Sequence, residues 1–243
     1  MKLAGKTAVV TGGGTGIGLG IAQAFAAAGC RVVIAGRREE TLRAAVDSWG
    51  GEPPLAHHVV DVTDRDSVRQ LFAWAQQQLG QIDILVNSAG TNIRTRTMAE
   101  MTPAQWDEVL AINATGAYNC LYEVLPPMRA RGDGLIINIS SVAGKRALTL
   151  GGIAYCASKF AMSALGTAVG SEESRHGIRV TNVFPGEVNT PLLARRPQPV
   201  SDERKALMLQ PEDLGDLAVL IACLPPRAHI PEVIIKPTVQ EYV

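Results

Sequence analysis

The stretch TAVVTGGGTGIG, Thr7–Gly18, decides how the rest of the chain is read. Thr7–Gly12 is a short β-branched run closed by glycine, the pattern of a buried strand. Gly12, Gly16 and Gly18 follow the spacing GxxxGxG, and a helical pattern opens at about Ile17. A strand that turns through glycines into a helix lets backbone approach a pyrophosphate. The helix N-terminus then offers unpaired N–H groups and the positive end of its dipole. With Thr15 and Ile17 between the glycines, the segment reads as a dinucleotide-binding loop, although a glycine-rich turn that binds nothing has the same composition.

About 20 residues beyond such a loop, an acidic side chain holds the adenosine 2′-hydroxyl of NAD. Here Gly36 is followed by Arg37 and Arg38, with no acid at the strand end. A guanidinium matches the geometry of a 2′-phosphate, so the pair favours NADP(H) over NAD(H). The competing reading makes Arg37 and Arg38 the solvated start of a helix whose first turn carries Glu39 and Glu40.

Further runs of the same kind recur. Arg31–Gly36, His57–Val62, Asp83–Gly90, Leu135–Ser140, Arg179–Gly186 and Glu232–Pro237 are expected as buried strands. Helical patterns lie between them, with starts expected at Asp64 and Thr102. Alternation of this kind predicts an α/β fold: a Rossmann-like, doubly wound parallel sheet of about seven strands with helices on both faces. No linker, repeat or low-complexity tract interrupts it, so residues 1–243 read as one domain.

The chain has 23 Lys plus Arg against 23 Asp plus Glu, which removes any bulk electrostatic case for nucleic acid or an anionic membrane surface. Cys30, Cys120, Cys156 and Cys223 form no CxxC pair, and His57, His58, His176 and His229 lack metal-ligand spacing. No apolar run approaches the ~18 residues of a membrane span, and no secretory signal is evident. A cytoplasmic protein without a metal site is the expectation.

YCASK, Tyr155–Lys159, sets a phenol and an ammonium at i and i+4 on one helix face. A nearby cation favours phenolate, so Tyr155 is expected to become more acidic and fit for proton transfer. A bare YxxxK is more often a surface lysine beside a half-buried aromatic.

Taken in order, these motifs resemble the classical short-chain dehydrogenase/reductase family from Lys6 to about Pro191. TGGGTGIG matches its cofactor loop, and DVTD places Asp61 and Val62 where the family contacts adenine. NSAG brings Asn87, Ala89 and Gly90, with Ser88 in place of a second asparagine. PGEVNT brings Pro185, Gly186, Val188 and Thr190 to the nicotinamide carboxamide. The resemblance implies a catalytic tetrad of Asn113, Ser141, Tyr155 and Lys159. Tyr155 would exchange a proton with a carbonyl or alcohol oxygen, Ser141 would polarise that oxygen, and Lys159 would lower the phenol's pKa and hold the nicotinamide ribose. Asn113 would position a proton-relay water. Ser140 is the alternative serine, and Asn113 has an alternative role in satisfying a buried helix backbone.

The resemblance further implies a small carbonyl or secondary-alcohol substrate and a homodimer or homotetramer built on the helix that carries the small residues Ala157, Ala161, Ala164, Gly166, Ala168 and Gly170, although tight packing within the chain explains the same residues. Three features depart from the family or leave its substrate open. The glycine-rich tail of the fatty-acid-synthesis reductases is missing, which weakens a 3-oxoacyl-thioester reductase reading. Thr15 is neutral where some NADP-specific members are basic. A substrate loop spans about 189–210, within which Arg195 and Arg196 either meet a substrate carboxylate or phosphate or belong to a solvated charged loop; Arg94–Thr97 and Gly144–Gly152 would form the other walls. A dinucleotide-binding sensor that has lost catalysis, or another reaction on the same fold, are the competing functions.

Overall fold

The structure, a computed structural model, describes residues 1–241. Every apolar run named above becomes a strand: β1 (Thr7–Thr11), β2 (Arg31–Gly36), β3 (Ala56–Val59), β4 (Ile84–Asn87), β5 (Gly134–Ile139), β6 (Ile178–Pro185) and β7 (Glu232–Ile235). They pair in parallel in the order β3-β2-β1-β4-β5-β6-β7. The side-chain period of two divides each central strand between two cores. Ala8, Val10, Ile34, Ile84 and Val86 face one side, while Val9, Val33 and Leu85 face the other.

Helices α1 (Gly16–Ala27), α2 (Glu39–Trp49) and α8 (Pro211–Ala222) cover the first side through Ile21, Phe25, Leu42 and Leu214. Helices α3 (Arg65–Leu79) and α5 (Gly116–Arg131) cover the second through Leu71, Phe72, Leu121 and Val124. The doubly wound architecture is therefore as expected. Burial was expected of all seven strands, and β3 and β7 depart from it: Val59 and Ile234 are exposed, because an edge strand lacks a neighbour and is only partly covered by helices.

Asp64 caps α3, accepting from Asp66 N–H at 2.9 Å. Thr102 caps α4 (Pro103–Leu110) in a reciprocal pair with Gln105: Thr102 N–H donates to Gln105 Oε1 at 3.0 Å and Gln105 N–H to Thr102 Oγ1 at 3.3 Å. The pattern beginning at Thr102 does not form one continuous α-helix. A π-turn at Ala111–Thr115 separates α4 from α5, and such single turns are typical of functional sites.

Helix α6 (Ile153–Glu173) carries Tyr155 and Lys159. Its small residues divide between two roles. Gly166 faces Asn138 and Asn182 inside the sheet and Gly170 faces Val180, whereas Ala161, Ala164 and Ala168 are exposed. No helix among the described residues is long and apolar enough to cross a membrane. Adjacent β1 and β4 lead to connections running in opposite directions, and a crevice opens outside their carboxyl ends, where open α/β sheets bind ligands.

Candidate active site

The crevice starts at the glycine loop, between the end of β1 at Thr11 and the start of α1 at Gly16. Gly12 has φ +67°, and a Cβ there would stand 2.8 Å from Ser88 O and Ala89 N; at Gly18 it would stand 2.3 Å from Gly12 O. Only glycines let the loop fold this closely against NSAG. Thr15 occupies the N-cap of α1 without making a side-chain cap bond, so the first-turn N–H groups are left for a ligand.

Arg37, Arg38, Asp61, Val62, Ala89 and Gly90 line the crevice on either side of Gly12 and Thr15. Arg38 is also the N-cap position of α2, with Glu39 and Glu40 in the first turn, so both sequence readings of the arginine pair describe the same residues. Burial acts to raise the Asp61 carboxyl, but Thr63 and Arg37 outweigh it and hold the group below its ordinary value. Thr63 N–H and hydroxyl donate to Asp61 Oδ1 at 2.9 and 2.7 Å. Free helix N–H groups and a guanidinium pair suit the phosphates of a dinucleotide, and the Asp61 carboxylate offers an acceptor for an adenine N–H, so the residues present fit NADP(H).

Asn87 does not line this crevice. Its Nδ2 donates to Asn138 Oδ1 at 3.0 Å, and Asn138 Nδ2 donates to Asn182 Oδ1 at 3.0 Å. This asparagine row crosses β4, β5 and β6 in register and lies inside the sheet. The side chain therefore supports the strand ends beneath Ala89 and Gly90.

Ser141, Tyr155, Pro185, Gly186, Val188 and Thr190 line a neighbouring cleft of about 150 Å³, with Ile17 at its edge. Thr190 packs on the glycine loop: a Cβ on Gly16 would be 3.1 Å from Thr190 Cβ. Gly16, Gly18, Tyr155, Lys159 and Thr190 share the passage that joins cleft and crevice. Ser141 begins a 3₁₀ turn and its Oγ accepts from Ala143 N–H at 3.1 Å. Ser140 is buried and occupied elsewhere, donating to Lys159 O at 3.1 Å with its Oγ 2.9 Å from Ser163 Oγ.

Lys159 is buried; its Nζ donates to Ile139 O at 2.8 Å and lies 5.7 Å from the Tyr155 ring centroid. Desolvation lowers its pKa to about 8. The Tyr155 phenol moves against the sequence expectation. Burial raises it above its ordinary value, and the Ser141 hydroxyl and Arg96 guanidinium only partly oppose that rise. Desolvation in a dense cleft outweighs the Arg96 cation, and Lys159 directs one of its N–H groups to the Ile139 carbonyl.

Asn113 sits in the π-turn, fully buried. Its Oδ1 accepts from Thr91 N–H at 2.7 Å, and its Nδ2 donates to Thr91 O and Ser158 Oγ, both at 2.9 Å. Its side chain thus satisfies the loop backbone of Thr91 beside the site, where the alternative read from the sequence was helix backbone.

The substrate-loop segment is a 3₁₀ turn (Pro191–Arg195) followed by α7 (Asp202–Ala206). Of its two candidate arginines, Arg196 lines the cleft, and Arg195 is exposed and faces a different groove. Arg196 Nη2 pairs with Glu187 Oε1 at 2.8 Å, and Arg204 takes the other carboxylate oxygen. These partners hold Glu187 below its ordinary value despite the opposing effect of burial. Arg96 lines the cleft from the wall segment Arg94–Thr97, whereas Glu187 and Gln240 escaped the sequence reading. Glu187 stood inside a motif read only for its neighbours. Gln240 comes from the tail, where its Oε1 accepts from Glu187 N–H at 2.8 Å. No local pattern could have paired residues 53 apart.

The chain resembles known proteins over almost all of its length. The short chain dehydrogenase family pattern matches residues 6–200. An uncharacterized oxidoreductase of Staphylococcus saprophyticus is 33% identical over 239 residues, 98% of this chain and 99% of the relative. A metagenomic short-chain oxidoreductase crystallised with NADP is 33% identical with a TM-score of 0.84, covering 99% of this chain and 100% of that one. The 3-ketoacyl-(acyl-carrier-protein) reductase of Brucella melitensis, complexed with NADH, is 25% identical with a TM-score of 0.87, covering 97% and 98%. On this evidence the chain belongs to the short chain dehydrogenase family.

Proposed function

We propose that the protein is an NADP(H)-dependent oxidoreductase acting on a small carbonyl compound or the corresponding secondary alcohol. The observation that carries this reading is the meeting of Ser141 and Tyr155 in a cleft that joins, through Lys159, a dinucleotide-sized crevice beneath an uncapped helix start. NADP(H), when held here, would supply or accept the hydride. Gly12, Thr15, Gly16, Ile17 and Gly18 hold the pyrophosphate on backbone N–H groups, and Asp61, Val62, Ala89 and Gly90 line the adenosine. Arg37, aided by Arg38, binds the 2′-phosphate. Pro185, Gly186, Val188 and Thr190 face the nicotinamide.

Tyr155 donates its proton to the carbonyl oxygen during reduction and takes it back during oxidation. Its raised pKa keeps that proton in place at neutral pH. Ser141 hydrogen-bonds the same oxygen and polarises it. Lys159, half-protonated near pH 8, holds the ribose and replenishes the tyrosine. Asn113 acts by positioning, fixing Thr91 and Ser158 beside the lysine-bearing turn. The exposed Tyr118, Tyr122, Ile153 and Phe160 on α5 and α6 support a homo-oligomer built on those helices; a monomer mass by light scattering would overturn that assembly.

The test is NADPH consumption with a panel of ketones, keto esters, acyl thioesters and oxo acids, run beside NADH and Tyr155→Phe. Turnover that prefers NADPH and disappears in the variant, with NADPH binding kept, is the expected result. Undiminished turnover in the variant would refute the proton role. NADPH binding with no turnover of any compound would favour a sensor.

A further inference from the structure

Building on the oxidoreductase reading, we infer that the substrate carries a carboxylate, bound by Arg96 and Arg196 in the cleft that contains Tyr155, and so is a small oxo acid or its hydroxy-acid counterpart.

The argument starts from Arg96, a half-buried cation that lines the cleft. Its Nε donates to Ile93 O at 2.9 Å and its Nη2 to Arg195 O at 3.0 Å, while Nη1 bonds Leu150 O. These three acceptors pin the guanidinium between three loops. None of them carries charge, and two of its five N–H groups remain for a ligand. Among the described residues no carboxylate pairs with it. Burial and the neighbouring Arg196 lower its proton affinity and outweigh the opposing pull of Tyr155 and Cys156. A partly buried charge without a partner is costly, and an anion entering the cleft removes that cost.

The acid already present cannot fill this role. Glu187 is shared between Arg196 and Arg204, one oxygen to each. Arg96 and Arg196 against Glu187 leave the cleft lining with one surplus positive charge. Leu148, Leu150, Leu192 and Leu193 complete the wall, so the rest of the ligand is small and apolar. In the reaction, the carbonyl carbon gains the hydride and its oxygen the Tyr155 proton. The carboxylate is unchanged and serves only to orient the carbonyl.

The experiment compares short-chain oxo acids with their methyl esters, using wild type, Arg96→Gln and Arg96→Lys with NADPH. The expected result is a KM for the acid about tenfold or more below that of its ester, lost in Arg96→Gln for the acid alone and partly restored in Arg96→Lys. A merely structural clamp would impair acid and ester alike, and that outcome overturns the inference. Ester turnover equal to or better than acid turnover also overturns it while leaving the oxidoreductase reading intact. Because Arg96→Gln also loosens three loops, a second measurement uses wild type alone. Butanoate, with NADP present, should raise the melting temperature where butanamide does not. If neither compound shifts it, the carboxylate site is refuted, whether or not any ketone is turned over.

Discussion

Lys159→Met tests the electrostatics of the site without requiring a substrate. The lysine's pKa falls from 10.5 unfolded to about 8 folded because burial removes water from the ammonium. Below pH 8 both states are protonated, and the folded state carries the full desolvation cost. At one pKa unit per ~1.4 kcal/mol, that cost is about 3 kcal/mol at pH 7. Between pH 8 and 10.5 the unfolded chain binds more protons than the folded one, so stability rises with pH and the cost fades. Methionine cannot titrate. The stability of wild type relative to Lys159→Met should therefore improve by about 2–3 kcal/mol from pH 7 to pH 10. The variant also loses the bond to Ile139 O, which adds a constant offset and leaves the pH dependence unaltered. Thermal or urea unfolding of both proteins without nucleotide, at several pH values, reads the difference directly. It should amount to about 5–10 °C in the gap between melting temperatures for a chain of this size. A gap that does not move with pH would refute the reasoning, because it would mean that Lys159 stays solvated in the fold.

Further outcomes follow from other parts of the molecule. Arg37→Ser should raise KM for NADPH about tenfold or more while changing KM for NADH little, read from initial rates with each cofactor; equal effects on both would remove Arg37 from 2′-phosphate recognition. Because burial raises the Tyr155 phenol, the carbonyl-reduction rate should stay level through neutral pH while alcohol oxidation climbs on the alkaline side. An oxidation optimum below neutrality would contradict that direction. Gly166→Ala would place a Cβ 2.1 Å from Asn182 Oδ1 and 2.5 Å from Asn138 Nδ2. It should destabilise the protein by about 1–3 kcal/mol, seen as a lower urea midpoint. An unchanged midpoint would show that the asparagine row can shift.

The amino-acid sequence by itself determined the parts of this protein that depend on local chemistry. Strand runs, helix starts at Asp64 and Thr102, and the glycine loop depend on side-chain period, capping and the absence of Cβ atoms, all of which act over a few residues. The same holds for the spacing of Tyr155 and Lys159 on one helix face, whereas the sign of the tyrosine's shift depended on burial by distant elements. Tertiary structure alone decided which side of a residue meets the cleft. It drew Asn87 into a row with Asn138 and Asn182, and satisfied Asn113 on Thr91 through a π-turn that no periodicity announces. It separated Arg195 from Arg196, and it brought Arg96, Glu187 and Gln240 from three distant segments to one cleft. Such meetings depend on strand order and loop packing, which bring together residues far apart in the chain, whereas side-chain pattern reports only on near neighbours.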